Sequence, residues 1–296
     1  MSVLCIDGLD LVVSGRALRT ARLVNEGYEF VAEPPSFVQT LSERPQRIDL
    51  LSFCQPLSEP APRYPWRLEW DELAVLPISS YEHWWKVQVN DKTRNMVRKP
   101  GKKGVALRHF ELDAAAVRAI KAIYDESPMR QGRPFKHYDK SLEVIERDHA
   151  TFADRSEFIG AYFEERLIGF IKLVHQQGWS NLMQIISLIS ERDKAPTNGL
   201  IAKAVEICAA RGVPRLQYGI WSRRGIGDFK LHHGFEPLRV PRYQVPVSAW
   251  GRVALAAGLH KPMVSRVPEP WIDTLAQWRA QWNGWRFAAR PAGSVR

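Results

Sequence analysis

Between Thr151 and Val247 the hydrophobic period of the chain switches from two to about 3.6 and back. Few folds accept that order. Phe158–Phe163, Leu167–Val174 and Asn181–Ser190 alternate as strands. Asn198–Arg211 then places Leu200, Ile201, Ala204, Val205, Ile207 and Cys208 on one side of a helix, and Gly212 stands where a helix ends. Leu216–Ile220 is a strand, and Gly227–His233 is a short helix stopped by Gly234. Phe235–Val240 and Arg242–Val247 read as a closing pair of strands.

Two motifs sharpen this pattern. Gly227-Asp228-Phe229-Lys230 with His233-Gly234-Phe235 resembles the FK…(F/H)GF ending of FemAB-like proteins. Lys92-Thr93-Arg94-Asn95-Met96-Val97-Arg98-Lys99 with Lys102-Lys103-Gly104-Val105 resembles the R-x-x-x-R-K-x-x-K-x-G-V segment of the same branch. Together with the element order, they make the chain resemble the GNAT acyltransferase superfamily. Within it they point to the FemAB-like branch of peptidoglycan-bridge aminoacyltransferases. The resemblance spans roughly Leu73 to Val247. It implies an α/β (α+β) fold of GNAT type, with a mixed, mostly antiparallel central sheet flanked by helices. A small N-terminal α/β portion and a helical C-terminal tail complete it.

The expected organisation has three parts: residues 1–70, an acyltransferase domain over 71–247, and a basic, Trp-rich tail over 248–296. In the first, Leu9–Val13, Leu18–Leu23 and Ile48–Phe53 read as strands, and Pro34–Ser42 as a helix with prolines in its first turn. This portion is open to reading as a reduced first GNAT-like half. Pro56, Pro60, Pro62 and Pro65 exclude regular structure before Trp70. The three cysteines are too scattered for a disulfide framework or a zinc site, and no metal is expected. With no basic leader and no apolar run of about 18 residues, the expected compartment is the cytoplasm. The net charge of +10 favours polyanionic partners.

Leu73–Ile78 reads as a strand. The spacing of Tyr81, Trp84 and Trp85 predicts one helix continuing to Lys99 and stopped by Pro100-Gly101. Residues 90–103 hold six cations against Asp91. Arg94 and Arg98, four apart, share a face and suit a phosphate or carboxylate; a solvated helix face is the other reading. Val105–Phe110 is a strand, Asp113 caps a helix to Asp125, and Ser141–Phe152 is a helix with Leu142, Ile145 and His149 inward. Between those helices an irregular loop gathers Arg130, Gln131, His137 and Tyr138. By resemblance it lies over the acceptor site; a solvated loop is the alternative.

GNAT enzymes hold the coenzyme A pyrophosphate where the central helix begins, because its first N–H groups are unpaired and its dipole favours anions. The corresponding stretch here, Lys194-Ala195-Pro196-Thr197-Asn198-Gly199, keeps one glycine, and Pro196 removes a donor. The donor therefore stays open between acetyl-CoA or another acyl-CoA and an aminoacyl-tRNA, which the FemAB-like branch uses. By resemblance, a backbone N–H near Ile186, Ser187 and Leu188, opposite Tyr218–Ile220, polarises the donor carbonyl. Lys230 matches the lysine thought to stabilise the oxyanion; a surface lysine is the alternative. Asp228 suits a helix cap and Tyr218 is a candidate acid. The expected reaction is acyl or aminoacyl transfer to an amine-bearing, anionic acceptor. The alternative is a catalytically silent module that binds RNA or another polyanion.

In the tail, Trp250, Val253, Ala254 and Ala257 follow helical spacing. Trp271, Leu275, Trp278, Trp282 and Trp285 form an amphipathic stripe. A packed helix, peripheral membrane contact and RNA contact are all compatible with it.

Overall fold

A computed structural model of the chain describes residues 2–222 and 225–261. Its first elements are β1 (Ser2–Ile6), β2 (Leu9–Ser14), β3 (Thr20–Leu23), α1 (Pro34–Ser42), β4 (Leu50–Cys54) and β5 (Arg67–Pro77). A short helix α2 (Tyr81–His83) runs into a π-helical turn, Trp84–Gln88. Then come α3 (Asp91–Lys102), β6 (Ala106–Phe110), α4 (Ala114–Tyr124), the minimal strands β7 (Met129–Arg130) and β8 (Arg133–Pro134), and α5 (Leu142–Ala150). The chain continues through β9 (Ser156–Phe163), β10 (Arg166–Gln176), β11 (Trp179–Ser187), α6 (Pro196–Ala210), β12 (Arg215–Ile220), α7 (Ile226–His232), β13 (Glu236–Pro246) and α8 (Ala249–Ala256). The Trp-rich stripe from Trp271 to Trp285 lies outside the described residues.

The chain divides into two compact units. In residues 2–74 and 237–261 the strands run β1-β2-β3-β4-β13, antiparallel except for the β3–β4 pair. Leu11, Ala21, Leu51, Phe53, Tyr243 and Val245 fill the core of this unit. Arg242 is held by Glu26 and Asp71, each within 2.7 Å. The expected closing hairpin is one strand, β13. Pro241, the residue between the two expected segments, stays within that strand and accepts from the Gln55 amide through its carbonyl at 3.0 Å.

In Val75–Glu236 the strands run β6-β9-β10-β11-β12. The first four are antiparallel, and β11 and β12 are parallel. This is the expected mixed, mostly antiparallel sheet with flanking helices. Fully buried Lys172 on β10 donates to the carbonyl oxygens of His149 and Thr151 and to the Thr151 hydroxyl. It thereby satisfies acceptors that the end of α5 leaves open. Leu142, expected inward on α5, is exposed, while Ile145 and His149 are buried.

The predicted helix from Tyr81 to Lys99 is two helices. Val89 is extended, and the Asn90 side chain accepts from the Thr93 amide at 2.9 Å, starting α3 afresh. Nor does Pro100 stop α3, which runs to Lys102. Pro100 sits in its last turn, buried against Gly199; a Cβ on that glycine would come 3.0 Å from the proline ring. Close packing of α3 on α6 outweighs the proline's preference.

Helix α7 is fixed at both ends. Gly225 enters it at φ +60°, and Trp84 donates its indole N–H to the His233 carbonyl at 2.9 Å. A Cβ on Gly227 would lie 1.7 Å from the Ser222 carbonyl oxygen. Gly227→Ala is therefore expected to displace α7 and lower the melting temperature by several degrees, as read by circular dichroism.

Candidate active site

The site begins where two strands part. β11 and β12 pair only at Ser180↔Leu216 and Asn181↔Gln217. A register shift opposite Lys172/Leu173 leaves Met183 out of the β10 ladder, and from there β11 runs on beside β10 alone. The Leu188 amide donates to the Ile168 carbonyl at 2.8 Å. Antiparallel alternation then turns Ile186 and Leu188 toward β10, and directs the backbone groups of Ile185 and Ser187 to the side that β12 has left.

An i,i+4 pair pins the end of β11. Arg130 donates to the Ser187 carbonyl at 2.8 Å and to the Ile123 carbonyl at 2.9 Å, and pairs with Glu126 at 3.2 Å. The Glu126 carboxylate accepts from the Ile189 amide at 2.5 Å, and from the Ser190 amide and hydroxyl at 2.8 and 2.9 Å. These bonds hold the Glu126 carboxyl below its usual range, although burial works the other way. Glu126 was not singled out from the sequence. Its only signal there is the four-residue spacing to Arg130.

Lys230 lies 4% exposed at the end of β12. Its ammonium is 4.5 Å from the Tyr218 ring centroid and donates to the Ile220 carbonyl at 2.7 Å. Burial lowers its pKa to about 8 and raises that of the Tyr218 phenol to about 12. An ammonium has three N–H donors, so donors of Lys230 remain beyond the one bond to Ile220. Asp228, expected as the helix cap, stands in the first turn of α7 instead, where its carboxylate accepts from the amide of the N-cap Gly225 at 3.3 Å.

The other expected residues are placed as follows. Arg94 closes the preceding helical turn, donating to the carbonyls of Trp85 at 2.9 Å and Val89 at 2.7 Å, and pairs with Asp91. Arg98 stays exposed, 4.9 Å from the Trp85 ring. Gln131 and Gly132, both at positive φ, turn the β7–β8 hairpin. His137 packs on Tyr124 at 4.8 Å, where burial lowers its pKa to about 4. Tyr138 is exposed. The structure thus joins Lys230 to Tyr218, and Arg130 to Ser187. Ser187 in turn meets Thr197 through their hydroxyls at 3.0 Å. Arg94 is tied elsewhere.

The start of α6 offers few open donors to a coenzyme A pyrophosphate. The amides of Lys194, Ala195 and Asn198 donate to the carbonyls of Glu191, Arg192 and Ala195, and Pro196 has no N–H. The Lys194 ammonium is paired with Glu191 at 2.6 Å, and Arg166 shares that carboxylate. What remains is a turn whose acids and bases pair with one another and which leaves the Thr197 amide as its one donor not bonded in this way, a narrower anion site than an open helix start. Among the described residues no group of three His, Cys, Asp or Glu is placed to hold a metal ion.

No family model and no curated protein matches the sequence. Solved structures do. FemX has a TM-score of 0.58 at 8% identity, covering 81% of this chain and 86% of its own. L-PGS from Bacillus licheniformis has 0.57 at 12% identity, covering 86% of each chain. The C-terminal domain assigned to a lysylphosphatidylglycerol synthetase of Agrobacterium fabrum has 0.57 at 13% identity, also covering 86% of each. The chain shares the fold of FemX and L-PGS, as the FemAB-like resemblance implied.

Glu126→Ala is expected to free the Ile189 and Ser190 amides. Hydrogen exchange across 186–195 should speed up by about 10- to 100-fold, equivalent to about 1.5–3 kcal/mol of lost charged hydrogen bonding.

Proposed function

We propose that the protein is an acyl-group transferase that takes an aminoacyl group from an aminoacyl-tRNA ester and passes it to an amine. The observation that carries this reading is the buried ammonium of Lys230 at the end of β12, where β11 and β12 have parted. A desolvated cation there stabilises an oxyanion far better than one in water. The likeness to FemX and L-PGS supports the transferase class. The internally bonded turn before α6 favours an aminoacyl-tRNA over acyl-CoA.

The reaction needs a polarised carbonyl and a moved proton. The donor carbonyl carbon lies between the parted strands, its oxygen toward Lys230 and the free N–H of Ser187. The amine nitrogen attacks, and the C–N bond forms as the ester C–O bond breaks. The amine's proton leaves to the ribose oxygen. Lys230, with a pKa of about 8, is poised to assist that transfer, and Tyr218 stays protonated beside it. Arg98, Gln131, His137 and Tyr138 are assigned to reading the acceptor and the donor's RNA.

The test follows labelled aminoacyl-tRNA into a panel of primary amines, with melting curves in acetyl-CoA and in tRNA. Transfer, with a midpoint raised by tRNA and not by acetyl-CoA, is the expected result. A midpoint raised by acetyl-CoA alone overturns the donor. A polyanion-binding module without catalysis would bind RNA and transfer nothing. Lys230→Ala is expected to lower kcat by about 10²–10³-fold, the usual cost of one oxyanion donor. Because Lys230 acts as a cation, its contribution is present below pH 8. The wild-type rate should therefore fall as pH rises through about 8, and the Lys230→Ala profile should lack that limb.

A further inference from the structure

A cleft of about 350 Å³ lies where α3 meets α6. Its buried wall is apolar, with Pro100, Gly199 and Ala202; its exposed wall carries Arg98 and Glu206, with Tyr81 and Lys203 between. Tyr81 lies nearly parallel to Trp85, 10° between planes at 6.3 Å, and the Arg98 guanidinium stands over Trp85. Lys203 is paired with Glu206 at 2.9 Å, whereas Arg98 makes no ion pair among the described residues.

The same holds along α3. Arg94 consumes Asp91, the one acid of the helix. Lys92, Lys99, Lys102 and Lys103 then stand with Arg98 as cations with no ion pair among the described residues. Arg98 and Lys102 are four apart, as are Lys99 and Lys103, so they form a track on neighbouring faces. A helix of 12 residues is roughly 18 Å long. One phosphate does not need a track of that length; several successive phosphates do.

We infer that α3 and the cleft beside it form a binding surface for single-stranded RNA, the α3 cations following its phosphates and the cleft receiving one base against Tyr81. The chemistry is that of strand-binding sites: a basic track for the backbone and an aromatic face for stacking. A bilayer offers anionic headgroups but no flat base for a walled cleft beside an aromatic pair. This rests on the proposed aminoacyl-tRNA donor, whose acceptor end is single-stranded.

The test is fluorescence anisotropy of labelled, deacylated tRNA with the full chain over a salt series, and co-sedimentation with vesicles containing anionic lipid. All altered side chains are partly or fully exposed, and circular dichroism checks each fold. The expected result is that Arg98→Ala with Lys102→Ala loses tenfold or more in affinity. The slope of log affinity against log salt should become shallower by roughly 1.5, for two phosphate contacts. Tyr81→Ala should weaken binding with the slope kept, and Tyr81→Phe should bind as wild type. Wild-type affinity in the double variant overturns the inference. So does a double variant that loses vesicle binding but keeps RNA binding. Lys230→Ala separates the two proposals, because it should lose transfer and retain RNA affinity. Transfer by the wild type alongside undiminished RNA binding by the double variant leaves the function standing and removes this site.

Discussion

The parting of β11 from β12 after two paired residues is the constraint on which the proposed site of the second unit depends. A sheet normally consumes every backbone donor of an interior strand. Here a register shift between β10 and β11 ends one ladder while the other continues. The result is a run of β11 held on one side only, with N–H groups facing a gap. Such a gap closes by collapse unless something braces it. Arg130 and Glu126 do so from the loop after α4, tying the end of β11 and the residues beyond it to α4 by carbonyl and amide alike.

Two buried lysines show how context divides like from like. Burial depresses the pKa of Lys172 and of Lys230 to about 8. Lys172 spends its three donors on three oxygens around the end of α5, so it is a fastener inside the fold. Lys230 spends one on the Ile220 carbonyl and rests on the Tyr218 ring. In the proposed reaction its remaining donors and its charge serve the developing oxyanion. The difference lies in what surrounds each ammonium, not in the residue type.

The basic character of the chain is sorted in the same manner. Arg242, Arg130, Arg94 and Lys194 are bound into pairs with Glu26 and Asp71, Glu126, Asp91 and Glu191. These cations build structure. The α3 cations left over enter no ion pair among the described residues, which is why the inferred RNA surface is placed there. Pro100 belongs to this arrangement: packed on Gly199, it sets the end of α3 against α6 and forms part of the cleft wall.

The sequence by itself determined the elements of the second unit, because burying one face of a strand or helix forces a period that can be counted. The β9 to β12 run, the cap at Asp113 and the glycine stops at Gly212 and Gly234 were legible for that reason. The short motif around Lys230 drew attention to that residue, but its burial beside Tyr218 had no signal along the chain. Local signals misled where tertiary packing outweighed them. Pro100 did not end α3, Pro241 did not break β13, and Asn90 split a helix whose aromatic spacing looked continuous. Only the tertiary structure decided which amides face the gap, that Arg94 is tied to the turn before α3, that Glu126 braces β11, and that the turn before α6 satisfies itself. Each of these depends on where a hydrogen bond finds its partner across tens of residues, and no periodicity along the chain records that.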